Sequence, residues 1–414
     1  MKRTHPLIIK GGTLILADRV ARGDLLIDGD AIAAVGTVDG PSHAETLDAT
    51  GLHIAPGIVD LGVFAVDKRA CIAGGITRIG LMPDLSPPLD DSGLVQRAAL
   101  AAKPDLWVHP IAAATKGLRG EELAEMGLMR KAGAKAVSTG RGWIADSGVM
   151  LRLLHYAHAM GLTVISHAED AGLTRHAVAS EGETATRLGL AAAPAAAEAI
   201  AIARDSALVR ESGAALHFRQ VTTLAGFDLV RAAKAEGLPI TCGITPAHLL
   251  LSDHDVSDYR TFAKLSPPLR CPDDVAAARA ALADGTIDVL CSGHDPRGQE
   301  AKRLPFADAD PGMAGAETLL ALGLGFVRAN GEEGGLIDLP RLFQLLSANP
   351  AKILGVHAGL IEADAPADII LFDLDQPWQV RGAAFKAYAS NTPFEGLPVQ
   401  GKVRTTLKGG RVLV

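Results

Sequence analysis

Imidazole and carboxylate side chains stand at the ends of several short apolar runs in this chain. Asp60 lies within Ala55–Phe64, which reads APGIVDLGVF. His167 follows Ile165-Ser166 and precedes Glu169 and Asp170. His217 sits in Leu216-His217-Phe218-Arg219-Gln220, and His294 and Asp295 follow Val289–Gly293. Side chains of these two types can bind a metal ion that acidifies a bound water, and a carboxylate can accept that water's proton. Such a site needs several donors converging from neighbouring strand ends, because one donor cannot hold an ion against water.

The elements that would position these groups alternate between strand and helix. Eight apolar strand candidates occur at 58–64, 76–82, 106–113, 134–138, 162–167, 214–220, 238–244 and 287–293. Helical patterns fit between them, at 92–102, 121–132, 147–160, 194–212, 223–236 and 273–284. Eight βα units of this spacing predict a TIM barrel whose strand C-termini open on one mouth, with a doubly wound open sheet as the alternative. Both chain ends are β-rich. Leu7–Ile15 reads as a strand, a glycine turn and a second strand. Asp24–Gly36 reads as a hairpin turning at an Asp-Gly pair. Ala367–Asp373, Val403–Leu407 and Lys408–Val414 have the same texture, which suggests that the two ends meet in one small β-domain.

Composition bounds the class. The 414 residues are enough for a barrel plus an accessory domain, and 48% hydrophobic residues can fill a sizeable core. A net charge of −7 argues against a nucleic-acid surface. Cys71, Cys242, Cys271 and Cys291 are scattered with no CxxC pair, so buried free thiols are expected rather than a disulfide framework or zinc knuckle. Leu7-Ile8-Ile9 is too short for the apolar core of a secretion signal, and no uncharged apolar run is long enough to span a membrane. A cytoplasmic protein is expected.

The run APGIVDLGVF resembles the first barrel strand in the dihydroorotase branch of the amidohydrolase superfamily. The resemblance covers nearly the whole chain and is strongest in scaffold motifs: Gly359–Asp368, Gly189-Leu190 with Pro194, Glu198, Arg204 and Asp205, and Pro311–Thr318. It implies a (β/α)8 barrel over 57–350 and a small composite β-domain, a β-sandwich, built from 1–56 and 351–414. It also implies a ligand set that this chain has mostly lost. The family strand ends Asp-x-His-x-His; here Asp60 is kept, but Gly62 and Phe64 replace the histidines. The family's carboxylated lysine or aspartate falls near Thr139 and Gly140, and neither Lys135 nor Arg141 is a natural substitute. His167, in His-Ala-Glu-Asp, falls on a ligand position. Gln220 replaces the ligand histidine of His-x-x-His-Val-Ser-Thr, and His217 cannot easily stand in, since three residues along a strand reverses side-chain direction. Gly293 replaces the aspartate that is both ligand and base, although His294 and Pro296 keep the register. Asp295 could serve only if its loop were rearranged.

Substrate-side features are half kept. Asp84 stands where Met-Pro-Asn has its asparagine. Thr245-Pro246-Ala247-His248 retains one of two histidines, and Leu265–Arg270 retains its arginine. The residual pocket is therefore expected to comprise Asp84, His167, His248, Arg270 and His294, with no metal, no cofactor and no catalytic residue. Asp67, Lys68 and Arg69, in the shortened segment Ala65–Ile72, read as a solvated turn. The resemblance implies a non-catalytic homologue that pairs with aspartate carbamoyltransferase, with a homo-oligomer also expected. The alternative is an active cyclic-amide hydrolase that recruits His109, His167, His248 and His294 around zinc. A third possibility is a protein that binds another small ligand at the barrel mouth.

Overall fold

The computed structural model describes residues 5–328 and 335–414. The N-terminal segment supplies β1 (Leu7–Ile15), β2 (Val20–Asp28), β3 (Ala31–Gly36), β4 (Glu45–Asp48) and β5 (His53–Pro56). Leu7–Ile15 is one strand, not the two separated by a glycine turn that its sequence suggests. Pairing with β2 continues across Gly11-Gly12 through a bulge between Ile9 and Gly12. Gly11 takes φ +75°, and a Cβ on Gly12 would lie 2.4 Å from Ile54 Cδ1. Two glycines thus buy a kink and a close approach without breaking the strand.

The barrel strands are β6 (Ile58–Val63), β7 (Ile76–Leu81), β8 (Trp107–Ala113), β9 (Ala136–Ser138) and β10 (Thr163–Ser166). After a two-stranded excursion, β11 (Ala179–Ser180) with β12 (Ala192–Ala193), come β13 (Leu216–Phe218), β14 (Ile240–Ile244) and β15 (Val289–Leu290). They pair in sequence order and in parallel. All eight lie within the predicted runs, and helices such as Ser147–Ala159 and Ala196–Ser212 fall where the periodicity places them. The seam between β15 and β6 is closed by fewer bonds. The Phe64 N–H donates to the His294 carbonyl at 2.9 Å, and the Asp60 carboxylate accepts from the Ser292 amide at 2.9 Å and from its hydroxyl. Asp60 is fully buried, and burial pushes its pKa up to about 6 against these two bonds.

The segment expected as a solvated turn is instead a helix, Lys68–Ala73. Asp67 is its buried N-cap, accepting from the Ala70 amide. That cap satisfies an amide at the helix start that would otherwise lack a partner.

The chain returns to the first sheet with β16 (Ile369–Gln379), β17 (Pro398–Lys408) and β18 (Arg411–Val412). β16 pairs antiparallel with β5, giving the order β18-β17-β16-β5-β1-β2-β3 with β4 beside β1. One face of this sheet buries Ile9, Leu14, Leu25, Ile27, Ile54 and Leu371. The two units are joined at Gly57, whose amide donates to the Asp368 carbonyl, and by a buried Arg78–Asp368 ion pair at 2.6 Å. Between β16 and β17, Gly382–Asn391 reaches back to the barrel. Glu317 accepts from the Lys386 and Ala387 amides, Asp67 accepts from the Tyr388 amide, and the Asn391 side chain donates to the Gly312 carbonyl.

Candidate functional site: a filled barrel mouth

The first barrel strand carries a bulge at its C-terminal end. Leu61 pairs with Gly80 and Val63 with Leu81, so Gly62 is the extra residue, at φ +104°. The bulge changes side-chain parity. Val59 and Leu61 pack inside the barrel, as does Phe64, whereas Ile58 and Val63 join the core under the helices. Phe64 therefore turns into the mouth. Its ring supports the Arg141 guanidinium, 3.8 Å from the ring centre, with Arg219 at 5.4 Å.

Arg219 is the centre of the mouth. It follows His217 by two residues and so shares its face of the strand. It donates to the His167 Nδ1 at 2.9 Å and to the Gln220 Oε1 at 3.2 Å. A guanidinium only donates, so Nδ1 must accept and the His167 proton sits on Nε2. Nε2 faces Glu169 Oε2 at 3.2 Å. Burial lowers the His167 pKa, and although Glu169 opposes this, the Arg219 charge adds to it, so the ring is neutral. Glu169 in turn binds Arg270 at 2.7 Å. Burial acts to raise the Glu169 pKa, but its partners outweigh this and hold it below the usual carboxylate range. Arg270 also donates to the Thr222 and Ser180 hydroxyls and stands 3.7 Å from Glu198. Glu198, fully buried, accepts the amides and hydroxyls of Thr222 and Thr223. The result is a continuous chain from Arg219 through His167, Glu169 and Arg270 to Glu198.

The other sequence-selected residues are placed as follows. Thr139 accepts the His167 amide through its hydroxyl, and Asp84 accepts the Arg141 amide at 2.8 Å. Gly293 has φ +59°, and a Cβ there would lie 2.8 Å from Thr245 Cγ2, so a larger side chain would be strained and would force Thr245 to shift. Asp295 does face the mouth, but it binds Arg141 at 2.7 Å and Arg297 at 3.0 Å. His248 has both ring nitrogens engaged, with the Thr245 hydroxyl and the Pro267 carbonyl. His294 Nδ1 accepts from the Ala316 amide, and its Nε2 stands 3.8 Å from Asp67. His217 pairs with the Thr241 hydroxyl. His109 contacts Arg78, which binds Asp368 of the small β-domain. Of the five residues expected to form the residual pocket, only His248 lines the mouth cavity; Arg270 is consumed by its ion pairs.

That cavity measures about 20 Å³. Pockets for small molecules run from about 300 Å³ upward. A groove of about 860 Å³ elsewhere, lined by Phe326, Trp378 and Val399, shares no residue with the mouth. Zinc does not fit the donor set. Among the described residues no three His, Cys, Asp or Glu side chains form a group that could hold a metal. Glycine and phenylalanine offer no lone pair at 62, 64 and 293, and the one retained histidine spends its free nitrogen on a guanidinium. Sequence reasoning passed over Arg219 and set Arg141 aside. The spacing of two between His217 and Arg219 was the available signal for the former; Arg141 acts through the Phe64 ring, a contact that no local pattern encodes.

A closed parallel barrel joined to a sheet made from both chain ends defines the class. The chain belongs to the amidohydrolase family, whose model matches residues 135–413. More particularly, it is 38% identical over 99% of its length to a dihydroorotase of Pelotomaculum thermopropionicum, covering 98% of that protein. It is 37% identical over 98% of its length to a dihydroorotase of Citrifermentans bemidjiense, covering 99% of it. Among solved structures, the L-hydantoinase (dihydropyrimidinase) of Arthrobacter aurescens superposes with a TM-score of 0.86 at 26% identity, covering 99% of this chain and 96% of that one.

Proposed function

We propose that this chain is a dihydroorotase homologue that no longer turns over dihydroorotate and that serves pyrimidine synthesis as a structural partner of aspartate carbamoyltransferase. The observation that carries the reading is the Arg219 guanidinium on the His167 Nδ1, in a mouth whose other donor positions are Gly62, Phe64, Gln220 and Gly293. Hydrolysis of a cyclic amide needs an activated water and a base to take its proton. A guanidinium supplies positive charge but no open coordination position, and Asp295 is tied to two arginines. A chain that retains its barrel and its composite sheet without this machinery needs another use for them, and assembly supplies one. An interface of standard size, about 1,600 Å² in total, is small beside the 16580 Å² surface of this chain.

Metal analysis of protein purified without chelator, paired with a dihydroorotate ring-opening assay, tests the first half. Substoichiometric zinc and no metal-dependent turnover are expected. Co-expression with the carbamoyltransferase of the same organism, followed by size-exclusion chromatography with light scattering, tests the second. Separate elution at micromolar concentration, with a transferase that is stable and active alone, refutes the partnership. The second reading, an active hydrolase with an altered metal site, is favoured by end-to-end identity of 37–38% with proteins named dihydroorotase. It requires stoichiometric zinc and a turnover that His167→Ala abolishes.

A further inference from the structure

Three consecutive amides of the strap Gly382–Asn391 converge on two carboxylates of the barrel rim. Lys386 and Ala387 donate to Glu317 Oε1, at 2.6 and 2.9 Å, and Tyr388 donates to Asp67 Oδ2 at 2.9 Å. Neighbouring amides lie within about 3.6 Å of each other along the chain, so the two acceptors are close. Asp67 is buried and Glu317 partly buried. Among the described residues no lysine or arginine forms an ion pair with either. His294 faces Asp67 at 3.8 Å, but it is neutral. Its Nδ1 accepts the Ala316 amide, and burial pushes its pKa down to about 4. Cys71, on the helix below, stays a thiol, pushed up by burial and by Asp60, Asp67 and Glu317. The exposed Lys386 ammonium acts on Glu317 from the strap itself, and Asp295 and Arg297 bear on Tyr388. Two carboxylates held together without a paired cation favour keeping one proton between them.

The bond pattern places that proton. Asp67 spends both oxygens as acceptors, Oδ1 on the Ala70 amide and Oδ2 on the Tyr388 amide. His294 gains a second proton only by giving up the Ala316 bond. Glu317 takes both strap bonds on Oε1, so a proton on its Oε2 leaves the strap attached. The strap is anchored separately at its ends, by the Gly382 amide on Glu395 and by the Asn391 carbonyl on the Ala314 amide. We propose that the strap is a proton-dependent latch on the rim of the mouth: Lys386–Tyr388 docks with one proton on Glu317 Oε2 and loosens when that proton leaves. Burial, with Asp67 adding to it, pushes the docked Glu317 up to about 7 against the opposing amide bonds. A solvated glutamate titrates at 4.5. A pKa raised by docking makes docking tightest below 4.5 and weaker as pH rises through 7. The latch is independent of any partner protein or residual turnover.

Amide exchange of the full chain, divided by the intrinsic exchange rate at each pH, tests the latch at Lys386, Ala387 and Tyr388. Wild-type protection there is expected to be about tenfold or more higher near pH 5.5 than near pH 8, with no such change in β7–β10. Glu317→Gln keeps an acceptor oxygen without the charge, and its protection is expected to stay flat across that range. Lys386→Met removes an exposed cation that favours the ionised form, so the pH at which protection levels off is expected to rise. Carbon-13 spectra of glutamate-labelled protein are expected to show a carboxyl titrating near 7 that is missing from Glu317→Gln. Wild-type protection that is flat with pH overturns the inference, as does a fall that is equal in wild type and Glu317→Gln. The wild-type profile, the Lys386→Met shift and the carboxyl titration decide the matter if Glu317→Gln does not fold.

Discussion

Glu169 is the residue on which the buried charge chain turns, because it holds Arg270 at 2.7 Å, whereas Glu198 stands farther off at 3.7 Å. Glu169→Gln leaves that cation only the longer Glu198 contact in a site 3% exposed, and about 3 kcal/mol of stability should be lost in denaturant titration. The sign of the pH effect follows from the depressed pKa. Glu169 contributes stability that is present above the unfolded value of 4.5 and is lost as pH falls below it, so the variant should lose part of the wild-type slope on the acid side. Asp60 acts in the opposite sense. Its folded pKa of about 6 exceeds the unfolded 3.8, so its contribution is present below 3.8 and lost as pH rises through 6. Asp60→Asn should therefore flatten stability between those values, a difference of up to about 3 kcal/mol. Gly62 belongs at this scale too. At φ +104°, a side chain costs about 1–3 kcal/mol. Gly62→His should be destabilised by that amount and should gain no zinc by elemental analysis, because Arg219 still occupies His167. Stoichiometric zinc in that single variant would show that the guanidinium yields to metal.

Among the elements, the segment between β16 and β17 has the most consequence for the mouth. It is pinned to barrel loops by acceptors far away in sequence: Glu317, Asp67 and the Gly312 carbonyl. Asn391 is the central tie, since it donates to Gly312 and accepts the Arg297 amide at 3.0 Å. Asn391→Ala removes both bonds and leaves buried backbone groups unpaired, a loss of about 1–3 kcal/mol. Amide hydrogen exchange should rise across 295–316 while β7–β10 keep their protection. Equal exchange in both proteins would mean that the segment merely rests on the barrel. The bulge at Gly62 is the other decisive element, since one extra residue in β6 is enough to turn Phe64 inward where strict alternation from Leu61 would carry Val63.

On the scale of the whole molecule, the barrel and the small β-domain share a buried seam. Arg78 binds Asp368 and lies over Trp107, whose ring also carries Lys408 at 3.8 Å. Arg78→Met should strand Asp368, which is 6% exposed, and lower stability by about 3 kcal/mol. Unfolding followed by tryptophan fluorescence and by far-UV circular dichroism should remain coincident in the wild type. Separate transitions would show that the seam does not couple the two units.

Eight strand–helix repeats and two β-rich ends were legible because apolar periodicity is local, written within windows of about ten residues. For the same reason Gly62, Phe64, Gln220 and Gly293 could be set against the ligand positions that the family resemblance implies, each within a recognisable local motif. The helix at Lys68–Ala73 was not, since Asp67 is held as its cap partly by Tyr388, over 300 residues away. The unbroken strand through Gly11-Gly12 depended on Thr50 and Ile54, which take the space that side chains at Gly11 and Gly12 would fill. What fills the barrel mouth was decided only by the tertiary structure. Arg219, Phe64, Arg141 and His167 come from four different strand ends and meet only when the barrel closes. Sequence alone determined which residues stand at these strand ends; which charge fills the mouth depends on parity, a bulge and burial, which are properties of the folded chain.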